Sequence, residues 1–527
     1  MDDIWGHWSA LYKNILDRHA PVKKNGCAVI NYPGSHLKFN TNLPSAINRL
    51  FKRYRKNPTN NRWVAYKQQR NKVISLKRKS IKEFCSSATS NAKHPGELWQ
   101  KMKPLLPNSS LSKQKSVTLV EDGKVLTEPS EVVEVFNSYF ASVALPEIHR
   151  GSVEDFSGHP SVLGIASRQV LEHPFTFEPV SSSYVKEILD DLNPRKAVGA
   201  DGISPRLLRL SAPVMAEDIT RSINFLIANR SWPDKWKCGN LTPVFKKDKD
   251  TRKENYRPVS VLTALSKVFE KVVYDQLYNT FCRHLSQNLS GFLKNHSCCT
   301  ALLKMTEDWR RSLDNRESAM AVAVDLSKAF DSINHNLLFA KLKADDLSQS
   351  AMSLMSSYLL GRKQRVCLYG VCSSYSESRA RLPHGSLLGL LLFNIFINDL
   401  NYAVPNVSLR LYADDTTLYA SDVSPIALQF VVNRGLSRLS EWFNANYWLI
   451  NNAKTQALPI DPCKYDFDLT LNGSGVTKLP SIRILGVELD SMLNFIEHIS
   501  SQLKKAYAKA GALRRIRHFV PMDVTLC

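Results

Sequence analysis

Asp325 ends an apolar, β-prone run, Ala319 to Val324, and a second pair of acids, Asp414-Asp415, interrupts another, LRLYADDTTLY. A carboxylate at the end of a buried strand is costly unless it is solvated, paired or bound to a metal. In the second segment Leu409, Leu411 and Ala413 alternate with Arg410 and Tyr412, and Thr416 to Tyr419 resumes β-prone sequence, so the pair sits at the tip of a hairpin. Each acid alone reads as a helix cap or a turn residue, because Asp tolerates turn geometry and bonds its own backbone. In one very basic chain they share a chemistry. Two Mg²⁺ ions need several oxygen ligands, and phosphoryl transfer to a 3′-hydroxyl needs both ions. One carboxylate from one strand and one or two from a neighbouring hairpin would supply them. Between the acids, Gly385, Ser386 and Gly389 form a small-residue turn before a strongly apolar helix beginning near Leu387. Such a turn lets a backbone approach a ligand closely, or simply leads a loop into a core helix.

The elements that must position these residues belong to a mixed α and β pattern from Ser181 to about Ile499. SYVKEILDDL is amphipathic, NPRKAVGADGIS is a Gly- and Pro-containing loop, and a helix is predicted from Ser211 to Asn229. Two short strands flanking a charged turn are predicted in GNLTPVFKKDKDTRKENYRPVSVL. Ser260 then caps a helix whose Leu262, Leu265, Phe269, Val272 and Val273 share a face. This alternation predicts an α+β domain, a sheet backed by helices. Upstream, VTLVEDGKVLTEPSEVVEVF predicts a hairpin turning at Asp122-Gly123 and then a helix, after a linker from Pro104 to Ser116.

At 527 residues, the chain has room for about three or four domains. It is 43% hydrophobic and 22% charged, a globular composition, with a formal net charge of +22 that asks for a polyanionic partner. Among its ten cysteines there is no Cys-x-x-Cys pair, so neither a zinc knuckle nor a disulfide scaffold is indicated. The longest apolar run, Leu387 to Ile397, is too short to span a bilayer and contains Asn394; the start, MDDIWGHWSALYKN, lacks a secretory signal's apolar core. Secreted and membrane classes are set aside. The basic excess is uneven: Arg49 to Lys82 holds thirteen Lys or Arg and no acid, with Tyr54, Trp63 and Tyr66 interleaved and a break at Asn57-Pro58. Either this is a phosphate-tracking helical arm with aromatic rings available to stack on bases, or it is a solvated basic helix whose aromatics pack on the next domain.

The order of NYRPVSVL, AVDLSKAFDSI, LPHGSLLGLLLFNIFINDL, LRLYADDTTLY, LINNAKTQ and ILGVELD resembles the reverse transcriptase of non-LTR, LINE-type retrotransposons, with the jockey-like branch nearest in texture. The resemblance runs from about Tyr184 to His498, and WSALYKNILDRHAPVK and RWVAYKQQRNKV resemble the stretch between that family's endonuclease and polymerase domains. It implies a right-hand polymerase fold: a basic helical extension in 1–115, a connector in 116–180, fingers in 181–300, a palm in 301–480, and the palm's end with a clipped thumb in 481–527. No endonuclease resemblance is present. Asp325, Asp414 and Asp415 would hold two Mg²⁺ ions (Mn²⁺ as a substitute), with the Leu326 carbonyl as a further ligand. Phe330 would be the aromatic gate against a ribose 2′-hydroxyl. Lys246, Lys247 and Arg257 would hold the incoming triphosphate, with His384 and Gly385 also at the nucleotide. Lys454 resembles the lysine proposed to protonate departing pyrophosphate, though a surface lysine explains it equally. Arg53, Arg55, Lys77, Arg78 and Lys79 would contact nucleic acid. The implied partners are an RNA template, a DNA primer and a dNTP, in a nuclear and cytoplasmic ribonucleoprotein with the element's own RNA.

Departures from the family pattern fall inside the nucleotide site. His384 stands where the family usually has Gln, and Leu390 where it usually has Pro; Leu293 replaces a common Arg. Imidazole still donates one hydrogen bond but is shorter and rigid. Two readings therefore stay open: an RNA-directed DNA polymerase, weak at best, and an inactive copy that only binds RNA. A maturase-like splicing cofactor ranks last, since nothing after the palm resembles an intron-binding domain.

Overall fold

The computed structural model describes residues 10–15, 18, 42–90, 97, 117–142, 152–168, 172–327, 329–378, 382–383, 385–460 and 465–517. They fall into two compact units, one of residues 20–115 and 496–527, the other of residues 1–19 and 116–495. The linker predicted at Pro104 to Ser116 and the residue His384 lie outside the described residues.

In the smaller unit, α1 (Asn42–Lys56) and α2 (Asn60–Ser90) flank the break at Asn57-Pro58, where Arg62 donates from Nη1 to the Asn57 carbonyl at 3.3 Å. The interleaved aromatics pack on one another. Tyr54 packs on Trp63 with centroids 4.9 Å apart, Trp63 on Tyr66 at 5.4 Å, and Phe51 on Tyr66 at 5.1 Å. Lys67 and Arg70 lie over the Trp63 and Tyr66 rings at 5.4 and 5.8 Å. These contacts join α1 to α2, because an isolated helix gains much of its stability from packing against another. The basic side chains Arg53, Arg55, Lys77, Arg78 and Lys79 stay exposed.

The larger unit opens with β1 (Leu119–Glu121) and β2 (Lys124–Leu126), whose turn residues Asp122 and Gly123 both have positive φ, 48° and 78°, as a tight hairpin requires. Helix α3 (Pro129–Ser142) packs Val132, Val133, Phe136 and Phe140 into one cluster with Leu241, Tyr256 and Val366. After α4 (Pro160–Ala166) and α5 (Ser182–Asp190), α6 (Pro205–Ala228) starts earlier than the predicted Ser211. Ser204 caps the Arg206 amide, Pro205 presets φ at the first turn, and the helix runs on through Pro213.

The charged turn does join two strands, β3 (Cys238–Phe245) and β4 (Tyr256–Val261), paired antiparallel. The helix after them, α7 (Ala264–Phe281), is capped by Thr263 rather than Ser260. The ladder continues through Ser260, opposite Leu241, and Val261, opposite Asn240, so helical geometry begins only beyond it. Then come α8 (Cys298–Asp314), β5 (Ser318–Val324), β6 (Leu326–Ser327), α9 (His335–Ala344), α10 (Gln349–Leu359), β7 (Lys363–Leu368), β8 (Val371–Cys372) and β9 (Ser376–Glu377). Strand β7 runs parallel to β3 and completes a sheet ordered β4-β3-β7-β8, with β9 also on β7. Tyr369 and Gly370, both at positive φ, turn β7 into β8 and set Cys367 opposite Cys372, which are disulfide-bonded. The cysteine pattern indicates no disulfide scaffold; among the described residues this is one local staple, which only the hairpin register reveals.

Later elements include α11 (Leu387–Ile397), α12 (Leu400–Ala403), β10 (Ser408–Tyr412), β11 (Asp415–Asp422), α13 (Pro425–Ala445), β12 (Leu449–Ile450), β13 (Gln456–Ile460) and, in the smaller unit, α14 (Ile496–Ile516). A second sheet runs β10-β11-β5-β13, with Thr477–Lys478 added parallel to β13. Strand β5 is central, and Ala319 to Val322 and Val324 are buried, so both of its faces are covered. Helices α8 and α13 lie against this sheet, so the architecture is mixed α+β. Helix α11 is apolar all round because it is buried all round, with Leu388, Leu391, Leu392, Phe393, Phe396 and Ile397 in the core. Beneath it Lys341 of α9, fully buried, donates to Asp399 Oδ1 at 2.7 Å and to the Phe396 carbonyl at 2.8 Å.

Candidate active site

Strand β5 delivers Asp325, and its neighbours hold that residue by the main chain. The Asp325 carbonyl accepts from the Asn451 amide at 2.8 Å, just beyond β12, which itself pairs with β6. Lys454 Nζ stands 3.6 Å from Asp325 Oδ2, with both side chains partly solvated. The antiparallel register pairs Val324 with Thr416, so the next step along the ladder sets Asp415 beside Asp325. Tyr412 pairs with Asp415, which leaves Ala413 and Asp414 as a two-residue turn. The hairpin expected from LRLYADDTTLY is therefore present, with Asp414 in its turn and Asp415 opening β11.

Ala413 adopts a positive φ of 56°, a left-handed conformation that costs an L-residue about 1–2 kcal/mol. A cradle of backbone holds it there. The Leu411 amide donates to the Asn288 carbonyl at 2.9 Å, and the Ser290 amide to the Leu411 carbonyl at 2.8 Å. Gly291 lies so close that a Cβ on it would sit 2.3 Å from the Ala413 nitrogen. Asn394, the one polar side chain of the apolar helix, donates to the Gly291 carbonyl at 2.9 Å. Neither Gly291 nor Asn394 was singled out for this site from sequence; a lone glycine two residues before Leu293 and a lone amide in an apolar run were the available signals.

The three carboxylates act on one another. The Asp415 carboxyl is pushed up to about 6, first by desolvation and then by the charges of Asp414 and Asp325, while Lys246 opposes the rise. Lys246 reaches this neighbourhood from the end of the β3–β4 hairpin, where its amide donates to the Asn255 carbonyl at 2.8 Å. Arg257 pairs with Val244 across the same hairpin and is exposed, as is Lys247. Among the described residues no three His, Cys, Asp or Glu side chains close on one point as a ready-made metal cage. The donor set still fits a hard divalent cation in kind, since a carboxyl raised by burial and by two neighbouring carboxylates is relieved by a cation.

Phe330, on a short 3₁₀ turn five residues after Asp325, stacks on Phe393 of α11 with centroids 4.1 Å apart. Phe292 meets its ring edge-on at 5.9 Å, and the Leu382 amide donates to its carbonyl at 3.4 Å. Gly385 has φ +77°, and a Cβ there would lie 2.8 Å from the Ser260 carbonyl, so this turn is pressed against β4. Asp325, Asp414, Asp415, Lys246 and Lys454 thus share one neighbourhood, and the Gly385 turn touches the hairpin that carries Arg257. Arg53, Arg55, Lys77, Arg78 and Lys79 belong to the other unit.

A family model described as "Reverse transcriptase (RNA-dependent DNA polymerase)" matches residues 244–489, a span that contains the three aspartates. The chain is 27% identical over 363 residues to the probable RNA-directed DNA polymerase from transposon BS of Drosophila melanogaster, covering 65% of this chain and 39% of that protein. It is 26% identical over 355 residues to the RNA-directed DNA polymerase from mobile element jockey of the same organism, covering 63% and 38%. With the corresponding X-element protein it shares 27% over 356 residues, covering 65% and 38%. The chain spans less than two fifths of the length of these relatives. Mixed α+β architecture, clustered strand-end carboxylates and these matches lead to one assignment: the chain carries a reverse transcriptase domain of the RNA-directed DNA polymerase family, related to those of the jockey, BS and X-element non-LTR retrotransposons.

Proposed function

We propose that this domain extends a DNA 3′ end on an RNA template, and that its two sheets are the fingers (β3, β4, β7) and palm (β5, β10, β11, β13) of a right-hand polymerase. The observation that carries the reading is the β5–β11 register, which sets Asp325 beside Asp415 within the span matched by the reverse transcriptase family. Asp325, Asp414, Asp415 and the Leu326 carbonyl would hold two Mg²⁺ ions, which supply Lewis-acid activation of the 3′-hydroxyl and neutralise charge on the phosphates. Lys246, Lys247 and Arg257 bind the triphosphate of the incoming dNTP, the lysines as point charges and Arg257 through its planar fork. Phe330, immobilised between Phe393 and Phe292, presents a flat ring that a ribose 2′-hydroxyl would strike. Gly385 lets the backbone approach the nucleotide where a side chain would not fit, and His384 takes the place beside it. Lys454, whose Nζ lies 3.6 Å from Asp325 Oδ2, would give a proton to pyrophosphate. Catalysis is then positioning and electrostatics, as phosphoryl transfer requires.

Purified protein is given poly(rA)/oligo(dT), dTTP and Mg²⁺ beside its Asp414→Ala, Asp415→Ala double variant. Incorporation by the parent and not by the variant supports the polymerase. RNA retained by both with no incorporation by either overturns it and leaves the RNA-binding reading. Incorporation regained on His384→Gln would assign the loss to that substitution.

A further inference from the structure

Behind the Gly385 turn lies a buried polar network. Helix α11 starts at Leu387, and the Leu387 amide donates to Glu270 Oε2 at 3.1 Å. Glu270 belongs to α7 and is fully buried. Ser386, 1% exposed, caps α11 by accepting from the Gly389 amide at 2.9 Å, and its hydroxyl also lies 2.6 Å from the Tyr358 hydroxyl. Arg362, 4% exposed, donates from Nη1 to the Tyr358 carbonyl at 3.0 Å, and its guanidinium lies over the Tyr358 ring. Four polar side chains from three places in the chain therefore gather behind the first turn of one apolar helix.

A fully buried carboxylate is expensive, and nothing in helix packing alone requires one here. Burial pushes the Glu270 carboxyl up; the charge of Arg362 is the strongest influence in the other direction, followed by Ser386 and the Leu387 amide. An acceptor at the positive end of α11 is favourably placed. The residue that bonds this helix start sits on α7, which begins three residues after Val261, where β4 ends. Gly385, two residues before the bonded amide, presses on the Ser260 carbonyl of β4. One helix thus ties the Gly385 turn to the hairpin bearing Lys246 and Arg257.

We propose that Glu270, backed by Tyr358 and Arg362, is a positioning residue that fixes the Gly385–Ser386 turn against β4 and so sets the shape of the nucleotide pocket. This rests on the reading that the Gly385 turn faces the incoming nucleotide. Three full-length variants test it. Glu270→Gln keeps an acceptor for the Leu387 amide and removes the charge, Glu270→Leu removes both, and Tyr358→Phe removes only the hydroxyl. Hydrogen exchange over residues 385–390 needs no catalysis. Losing a buried hydrogen bond to the helix start should speed exchange at Leu387 and Gly389 about tenfold or more in Glu270→Leu, with the other two variants between it and the parent. On poly(rA)/oligo(dT) the same variant should raise KM for dTTP about tenfold with primer–template affinity unchanged and kcat within about threefold, Glu270→Gln restoring part of the loss. Exchange unchanged at the turn, or raised uniformly along the chain with a lower Tm, overturns the proposal. So does a fall in kcat at unchanged KM. A parent protein that incorporates nothing rejects the polymerase reading, while the exchange experiment still decides whether Glu270 holds the turn.

Discussion

Burial pushes the Asp415 carboxyl up, and the neighbouring charges of Asp414 and Asp325 push it further. An acid in that position costs folding energy, and the proposed polymerase reading gives it a part in the reaction. Asp415→Asn should abolish dTTP incorporation while leaving stability unchanged or higher, within about 0.5–1 kcal/mol, because it removes one of three like charges. A drop in Tm beyond that range, followed by thermal unfolding, would mean that Asp415 holds the hairpin rather than serving the reaction. Gly291 makes the complementary case. A methyl group there would overlap the Ala413 backbone, so Gly291→Ala should cost about 1–3 kcal/mol and reduce incorporation in parallel. Urea titration checks the first number. Unchanged stability would mean that the cradle yields where the geometry says it cannot.

At the scale of elements, α1 and α2 separate two roles that their sequence interleaves. The rings of Phe51, Tyr54, Trp63 and Tyr66 are occupied with one another, while Arg53, Arg55, Lys77, Arg78 and Lys79 remain in water. Neutralising those five basic residues should flatten the dependence of RNA affinity on salt, since each phosphate contact contributes about one counterion to the slope. Trp63→Ala should leave that slope intact and lower helical content by circular dichroism. A flattened slope in Trp63→Ala would return the ring to the binding surface. The helix boundaries make a related point. Ser260 was a plausible cap by residue type, yet the β3–β4 ladder claimed it and Thr263 took the role. Local side-chain preference decides a cap only where no ladder competes for the backbone.

In the larger unit as a whole, stability is staked on a few buried charges. The Lys341–Asp399 pair also receives the Trp442 Nε1–H, 2.7 Å from Asp399 Oδ2, and these contacts hold the Asp399 carboxyl below its ordinary range despite burial. Breaking it from one side, by Asp399→Asn or Lys341→Met, should cost about 3–5 kcal/mol in urea denaturation. Asp345 has the opposite sign. Burial pushes its carboxyl up to about 7, so its ionisation in the folded state opposes folding as pH rises from the unfolded value of about 4 through 7. Asp345→Asn should therefore gain stability over the parent at pH 8, and the gain should vanish toward pH 4. A gain that grows on acidification would reverse the assignment.

Charge and composition, read from the sequence alone, called for a polyanion. The strand-end positions of Asp325 and Asp414-Asp415, the hairpin at Asp122-Gly123, the break at Asn57-Pro58 and the order of family motifs were also legible, because period-two alternation, turn chemistry and motif order are local properties of the chain. Register and convergence were not. That Asp415 stands beside Asp325, that Gly291 and Asn394 clasp Ala413, that Cys367 meets Cys372 and that Glu270 reaches the start of α11 all depend on which strands and helices become neighbours. Residues up to 117 positions apart meet in that last contact. Burial of α11 and β5 on all sides decided those neighbours, and the polar residues among them took whatever partners the packing brought within reach.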